Sequence, residues 1–353
     1  MTNAKTSRVA FVTGATGLLG NNLVRELLGR GYVVRALVRS RDKAALLPSS
    51  PSLTLVEGDM EKVEGFEKHL AGVDIVFHAA AYFRDSLKGG SHWKTLKRIN
   101  VRGTKMLVEK AYAQGVRRFL QVSSIGTLED KAPNGQPVTE EMRRNPRKTI
   151  NDYYRSKLLA DAEVEAALKR WPDLWAAFVL PGFMHGPGDA GPTAAAQTIM
   201  DFMSGALPGV IDAHFTYVDA RDVAFACAEA AEKAPRGEHY LAAGRRYHLR
   251  DIFALLERIT GKPAPARKVP RGLIAVLAAA NEVWARLSGK PALVSWSIYR
   301  TIRDEGPHAR FDSSRAERDL GLRFRPIEET LTDTVAWIGA FDANGRAKPR
   351  LVA

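Results

Sequence analysis

Tyr153 and Lys157 stand four residues apart in the segment NDYYRSKLLAD, a spacing that puts a phenol and an ammonium on one face of a helix. An ammonium beside a phenol favours the phenolate and lowers its pKa from about 10 toward working pH. Such a phenol can protonate a carbonyl oxygen during hydride delivery, or take a proton from an alcohol. Tyr154 is a competing phenol, but the residue four places on is Leu158, not lysine. Ser124, closing the apolar run RRFLQVSS, is placed to hydrogen-bond the same oxygen, and Asn100, opening a helix at INVRGT, could hold a proton-relay water. A Tyr-x-x-x-Lys pair alone is equally an ordinary helix-surface pair, so its meaning depends on the rest of the chain.

The segment VTGATGLLGNNLVRELLGRG supplies that context. Gly14, Gly17 and Gly20 lie directly between a predicted strand and a predicted helix. There they would allow a tight turn, close approach of a pyrophosphate, and close helix–strand packing. Backbone N–H groups at the helix start would face the phosphates, and the helix dipole favours negative charge there. The residues expected around the dinucleotide here are Gly14, Thr16, Gly17, Leu18, Leu19 and Gly20. At the end of the second strand an acid would bond the ribose 2′-hydroxyl of NAD. This chain reads Arg39-Ser40-Arg41, with Asp42 too late. A guanidinium there suits a 2′-phosphate, although a solvated surface arginine would look the same. NADP(H) is therefore the preferred cofactor and NAD(H) the alternative.

These residues need a scaffold, and the patterning provides one. RVAFVTG, VVRALVR, LTLVEGD, VDIVFHAAA, RRFLQVSS and LWAAFVLPG read as short apolar strands, with helices such as INVRGTKMLVEKAYAQG between them. That alternation predicts an α/β fold with a parallel sheet wrapped on both faces. After Pro181 the regularity fails: GFMHGPGDAGPT reads as loop. FTYVDARDVAFACAEAAEK resumes a strand and helix, and HLRDIFALLERITGKPAP opens a more helical region.

Lys and Arg number 52 against 39 Asp and Glu, a formal net charge of +13, but they are interleaved without a basic block. Nucleic acid is not expected as a partner. A single cysteine, Cys227, excludes a disulfide framework and reads as inert core, and the cytoplasm is the expected setting. The N-terminus shows no apolar signal core. GLIAVLAAANEVWARL breaks at Asn281 and Glu282 after about a dozen apolar positions, short of the roughly 20 a spanning helix needs, so it reads as a buried or capping helix and no membrane role is expected. His185 and His214 lack metal-ligand spacing, and no metal is expected.

Taken with TGATGLLG, GDM, HAAA, NVRGT, VSS, YYRSK and PGFMHGPGD in that order, the chain resembles the extended short-chain dehydrogenase/reductase family over nearly its whole length. The resemblance implies a Rossmann, doubly wound parallel sheet with a smaller, mostly helical C-terminal substrate domain. It implies a catalytic set of Asn100, Ser124, Tyr153 and Lys157. Asp59 and Met60 would contact the adenine side, and Ala79, Ala80 and Ala81 would line the dinucleotide. Pro181, Gly182, Phe183 and Met184 would flank the nicotinamide, and Lys157 would also bond the nicotinamide ribose. The expected division is 1–182 with 211–238 for the dinucleotide, 183–210 with 239–340 for the substrate, and 341–353 as a frayed tail.

Within the family the chain is most similar to dihydroflavonol-reductase-type and hopanoid-associated sugar-epimerase-type members. SSIGTLED lacks the Tyr-Gly of the nucleotide-sugar branch, and LPGFMHGPGD lacks its strand-end arginine. Glu129 stands where plant dihydroflavonol reductases carry a substrate-reading asparagine, so flavonoids are not expected. The expected activity is NADP(H)-dependent reduction of a small, largely apolar aldehyde or ketone, or oxidation of the alcohol, with Tyr153 as general acid/base. The alternative is an epimerase or dehydratase on a nucleotide sugar or sugar-like substrate, for which arginines between Arg236 and Arg271 could bind a diphosphate. Phe183, Met184, Phe202 and Met203 suggest an apolar pocket wall or ordinary core. A homodimer pairing the helices after Asn100 and around Tyr153, or a monomer, is expected.

Overall fold

Apolar runs of four to seven residues cannot bury themselves singly, and here they pair side by side. The computed structural model describes residues 8–83, 92–189, 193–270 and 310–340, with residues 272, 275, 276, 279 and 280. Strands β1 (Val9–Thr13), β2 (Val33–Val38), β3 (Leu53–Glu57), β4 (Ile75–His78), β5 (Arg118–Val122) and β6 (Trp175–Pro181) are parallel neighbours in one sheet. A seventh strand, β10 (His239–Ala242), joins parallel to β6 at the edge, giving the order β10-β6-β5-β4-β1-β2-β3. The order reverses between β1 and β4, and crevices that bind ligands form beyond the carboxyl ends of strands at such a reversal. This is the parallel sheet expected from the alternation and the Rossmann architecture implied by the resemblance.

Both faces of the sheet are covered, which is why its strands are apolar on both sides. One layer packs Leu19, Leu23 and Leu27 of α1 (Leu18–Gly29) with Val223, Ala224 and Cys227 of α6 (Ala220–Lys233). The opposite layer packs Leu107 and Val108 of α3 (Gly103–Ala113) with Val164 and Ala167 of α4 (Asp152–Arg170). Cys227 is fully buried, and burial pushes its thiol pKa up, as an inert core residue requires.

A smaller region adds a three-stranded sheet of β7 (Phe183–His185), β9 (His214–Asp219) and β11 (Arg245–His248), and a pair of β8 (Val210–Ile211) with β12 (Lys268–Val269). Its core, including Phe202, Ile252, Phe253, Leu256 and Leu331, joins α5 (Ala194–Ser204), α7 (Leu249–Thr260) and α9 (Ile327–Gly339). The short α8 (Ser314–Leu320) instead packs against α6 and β10, where Ala316 and Leu320 enter the core.

Two expectations need correction. The segment after Pro181 is not wholly loop: Phe183–His185 is a strand, parallel to Tyr217–Asp219. Gly182 permits it, because a Cβ there would sit 2.1 Å from the Ala243 carbonyl oxygen. The large sheet also continues past residue 238, since β10 pairs with β6 from a segment assigned to the substrate part. Most of the predicted helix in GLIAVLAAANEVWARL falls outside the described residues, and residues 1–7 and the tail lie wholly outside them. No helix among the described residues is long and apolar enough to cross a membrane.

Asp219 ties the two regions together. Its carboxylate caps α6 through the Arg221 backbone N–H at 2.8 Å, pairs with the Arg221 guanidinium at 2.7 Å, and accepts the Thr330 hydroxyl of α9 at 2.9 Å. Arg221 reaches on to Asp333 at 2.6 Å. Removing one partner of a buried pair strands the other. Asp219→Ala should therefore lower unfolding free energy by roughly 3 kcal/mol, measured by urea denaturation, and a loss under about 0.5 kcal/mol, the usual range for surface changes, would contradict this account.

Candidate active site

β1 ends at Thr13 and α1 begins at Leu18, so the connection must turn tightly. Gly14 has φ 70°, and a Cβ on it would lie 2.7 Å from the Ala80 backbone nitrogen. A Cβ on Gly20 would lie 2.0 Å from the Gly14 carbonyl oxygen. Gly17 caps α1 without a side-chain hydrogen bond, and the first turn contains no acid. The N–H groups and positive dipole end there meet no acid in the helix's own first turn, and the backbone cradle has no room for side chains at Gly14 and Gly20. Both suit a pyrophosphate.

A cleft of about 1340 Å³ opens at this turn. Its wall includes Gly14, Thr16, Gly17, Leu18, Leu19, Gly20, Arg39, Asp59, Met60, Ala79, Ala80, Ala81, Pro181, Gly182, Phe183 and Met184. Every residue expected to contact the dinucleotide therefore faces one cavity. Arg41 is engaged with Glu57 at 2.7 Å, whereas Arg39 is exposed at the cleft and has no ion pair among the described residues. Asp42, thought too late in the chain, also reaches the wall.

Ser124, Tyr153 and Lys157 line the same cleft. Asn151 fixes the start of α4 by accepting the Tyr153 and Tyr154 N–H groups at 3.0 and 3.2 Å, which sets the tyrosines in the first turn. The Tyr153 ring packs on Phe83 with centroids 4.7 Å apart. Tyr154 lies over Gly126, where a Cβ would meet its ring at 2.1 Å, and beneath the Arg144 guanidinium. Ser124 Oγ accepts the Gly126 N–H at 3.1 Å, which leaves its own hydrogen to donate.

The electrostatics differ from expectation. Lys157 is buried with Nζ donating to the Val122 carbonyl at 2.5 Å, and burial pushes its pKa down, opposed by Asp161. The Tyr153 phenol is pushed up rather than down, first by burial and then by the Asp161 charge. Asp161, one turn beyond Lys157 and fully buried, accepts from Ser123, from Gln121 at 3.3 Å and from Arg143 at 3.0 Å. Nothing in the local sequence announced this cluster, because its members come from three separate segments.

Asn100 is also corrected. It does not open a helix but sits inside a π-helical stretch, Lys97–Arg102, between α2 (Trp93–Leu96) and α3. It is buried and does not line the cleft. Its Oδ1 accepts the Tyr82 N–H at 2.7 Å and its Nδ2 donates to Ser156 Oγ at 2.9 Å, so it clamps the loop after β4 to α4. Single-turn π segments are frequent at functional sites. Phe202, offered as pocket wall, instead stacks on Phe253 in the core with centroids 5.6 Å apart; Met203 likewise packs against that core.

His78, at the end of β4, has a role that its sequence neighbours do not announce. Thr104 Oγ1 donates to the Asn100 carbonyl at 2.6 Å, so it must accept from His78 Nε2 at 2.8 Å. Nδ1 then accepts from Thr13 Oγ1 at 2.7 Å, which itself accepts the Ala80 N–H at 3.2 Å. One directed chain thus runs from the dinucleotide wall to the Asn100 backbone through a neutral imidazole. The available signal was a histidine ending a fully buried strand.

Comparison with known proteins follows the same lines. The family described as NAD dependent epimerase/dehydratase matches residues 10–243. The sterol demethylase protein B of Methylococcus capsulatus is 34% identical over 327 residues, covering 93% of this chain and 97% of that protein. A putative dihydroflavonol 4-reductase of Synechocystis sp. is 32% identical over 336 residues, covering 93% of each. The crystal structure of gox2253 superposes with a TM-score of 0.78 at 31% identity, over 97% of this chain and all of that one, 100%.

Burial keeps three histidines neutral: the His78 pKa is pushed down to about 3, and those of His185 and His239 to about 4. Unfolded, each titrates near 6.5, so the unfolded chain takes up protons first as pH falls. The stability held by these neutral rings is whole above about pH 6.5 and is lost toward about pH 4, at up to roughly 1.4 kcal/mol per pH unit for each ring. Urea midpoints of wild type should fall steeply between about pH 6.5 and 5, and His78→Gln should show a shallower slope. Equal slopes would mean that His78 is not buried neutral.

Proposed function

The chain belongs to the NAD dependent epimerase/dehydratase family and is an NAD(P)-dependent enzyme, and from that premise we propose that it reduces a ketone or aldehyde with NADPH, or runs the reverse oxidation. One observation carries the choice: the cleft is divided by charge. Among the described residues its charged lining side chains are Arg39, Asp42, Asp59, Glu61 and Lys157, all on the dinucleotide side or at its junction with the substrate side. Beyond the junction the wall comes from α5, the β8–β9 segment and α7, and among the described residues it carries no Lys, Arg, Asp or Glu.

A nucleotide sugar brings a diphosphate that needs cations. The arginines suspected of that role, Arg236, Arg245, Arg246, Arg250, Arg258 and Arg267, do not line the cleft, and Arg271 lies outside the described residues. Arg236 instead bonds the carbonyls of Leu168, Trp171 and Leu174. The reductase name of the Synechocystis relative agrees with this reading.

The dinucleotide, when bound, supplies or accepts the hydride. Tyr153 donates its phenolic proton to the carbonyl oxygen, and the upward push on its pKa keeps that proton in place for reduction. Ser124 Oγ donates a second hydrogen bond to the same oxygen. The Lys157 ammonium stabilises the phenolate left behind until solvent reprotonates it. Asn100 acts at one remove, by holding the Tyr82 loop against α4. Arg39, without an ion pair among the described residues while Arg41 is held by Glu57, is the guanidinium for a 2′-phosphate. Among the described residues the dinucleotide half is the part of 1–182 and 211–238 extended by the edge strand to 242 and by α8, whose Ala316 and Leu320 enter its core, and the remainder forms the substrate half.

Tyr153→Phe should lose roughly 10²-fold or more in turnover, the scale of general acid catalysis, and keep NADPH affinity by fluorescence titration; near-normal turnover would move the role to Tyr154. Arg39→Asp should weaken NADPH far more than NADH in the same titration, and a wild type that binds NADH more tightly would sink the cofactor assignment. Interconversion of a nucleotide sugar with no net change in NADPH absorbance would overturn the reaction type itself.

A further inference from the structure

The uncharged end of the cleft is more than a mouth. Ile199 of α5 and Ile252, Phe253 and Leu256 of α7 are core residues, 0–3% exposed, yet all four line the cavity. The cavity therefore runs inward between α5 and α7 as an arm, with Leu207 and Ile211 along its side. A pocket for one ordinary small molecule occupies about 300–1,000 Å³. At about 1340 Å³ this cleft holds room for a dinucleotide and a sizeable second molecule together.

We propose that the substrate is a bulky, uncharged, apolar ketone or its secondary alcohol, with a hydrocarbon body that fills the arm while its oxygen meets Ser124 and Tyr153; this rests on the carbonyl-reductase reading above. A small aldehyde would leave the arm in contact with water, against side chains that gain only by contact with hydrocarbon. An anionic body would lose hydration without a counter-charge, since the arm's wall offers no Lys or Arg among the described residues. Two polar groups of the lining, His185 and Tyr217, are buried against each other with ring centroids 4.8 Å apart. Burial keeps both neutral, so they can orient an uncharged molecule without selecting a charged one. The large apolar class is thereby separated from the small, largely apolar aldehyde or ketone expected from the sequence.

The test uses the full chain with NADPH and three ketones held in cyclodextrin, butan-2-one, octan-2-one and dodecan-2-one, together with cholestan-3-one as a rigid bulky body. kcat/KM should rise by up to about 4-fold per added methylene while the arm fills, and cholestan-3-one should exceed butan-2-one by well over 10²-fold. Ile211→Trp narrows the arm, and the ratio of dodecan-2-one to butan-2-one activity should drop at least 10-fold. That ratio is internal, so a general loss of folded protein cancels from it. If butan-2-one is reduced and the series is flat, the bulky-substrate inference is wrong and the reductase reading stands. If NADPH binds and no ketone is reduced, the reductase reading falls. Calorimetry of dodecan-2-one against butan-2-one then decides the arm alone: equal or absent binding overturns it, and tighter dodecan-2-one upholds it.

Discussion

Everything in the site depends on a steric prohibition at the end of β1. Gly14, Gly20 and the backbone of Ala80 approach so closely that no Cβ fits between them. That contact draws the start of α1 against the end of β4, at the point where strand order reverses. Once it is made, the uncapped helix end, the Arg39 strand end and the Ala79–Ala81 wall share one cavity. A methyl group at Gly20 would push α1 away and separate features that belong together only because they touch.

The His78 chain carries that geometry inward. Each of its hydrogen bonds has one permitted direction, so the imidazole has a single neutral tautomer and no freedom to turn. The Lys157 charge and burial act together to keep it uncharged. In a buried site a half-satisfied polar network costs more than an apolar one, and a fully satisfied one fixes a unique arrangement. The Asp161 carboxylate, held by Arg143, opposes the downward push that burial exerts on the Lys157 pKa.

Much of this was legible because it is local. The glycine spacing, the six alternating strands and the Tyr153–Lys157 turn are written in consecutive residues, where a period of two or of 3.6 is enough to read them. What was missed depends on contacts made far along the chain. β10 is a sheet strand only because β6 leaves an open edge for it, and β7 hides among glycines and prolines that ordinarily mean loop. The π-helical placement of Asn100 has no residue signature. The phenol's pKa was misread for a related reason: spacing predicts which charge is near, whereas burial, which set the sign here, depends on the completed fold.

The seam between the two regions has a mechanical meaning. The chain passes from the large sheet to the small one at Gly182 and again just after Ala242, and these crossings lie side by side. Gly182 N–H bonds the Ala242 carbonyl at 3.2 Å, with no space for a side chain against Ala243. Paired crossings of this kind behave as a weld, not a hinge. Turning one half against the other would shear this seam and the Asp219–Thr330 link together. The floor beneath the reacting atoms is therefore braced on two sides, and compliance for substrate entry costs less at the rim than along this seam.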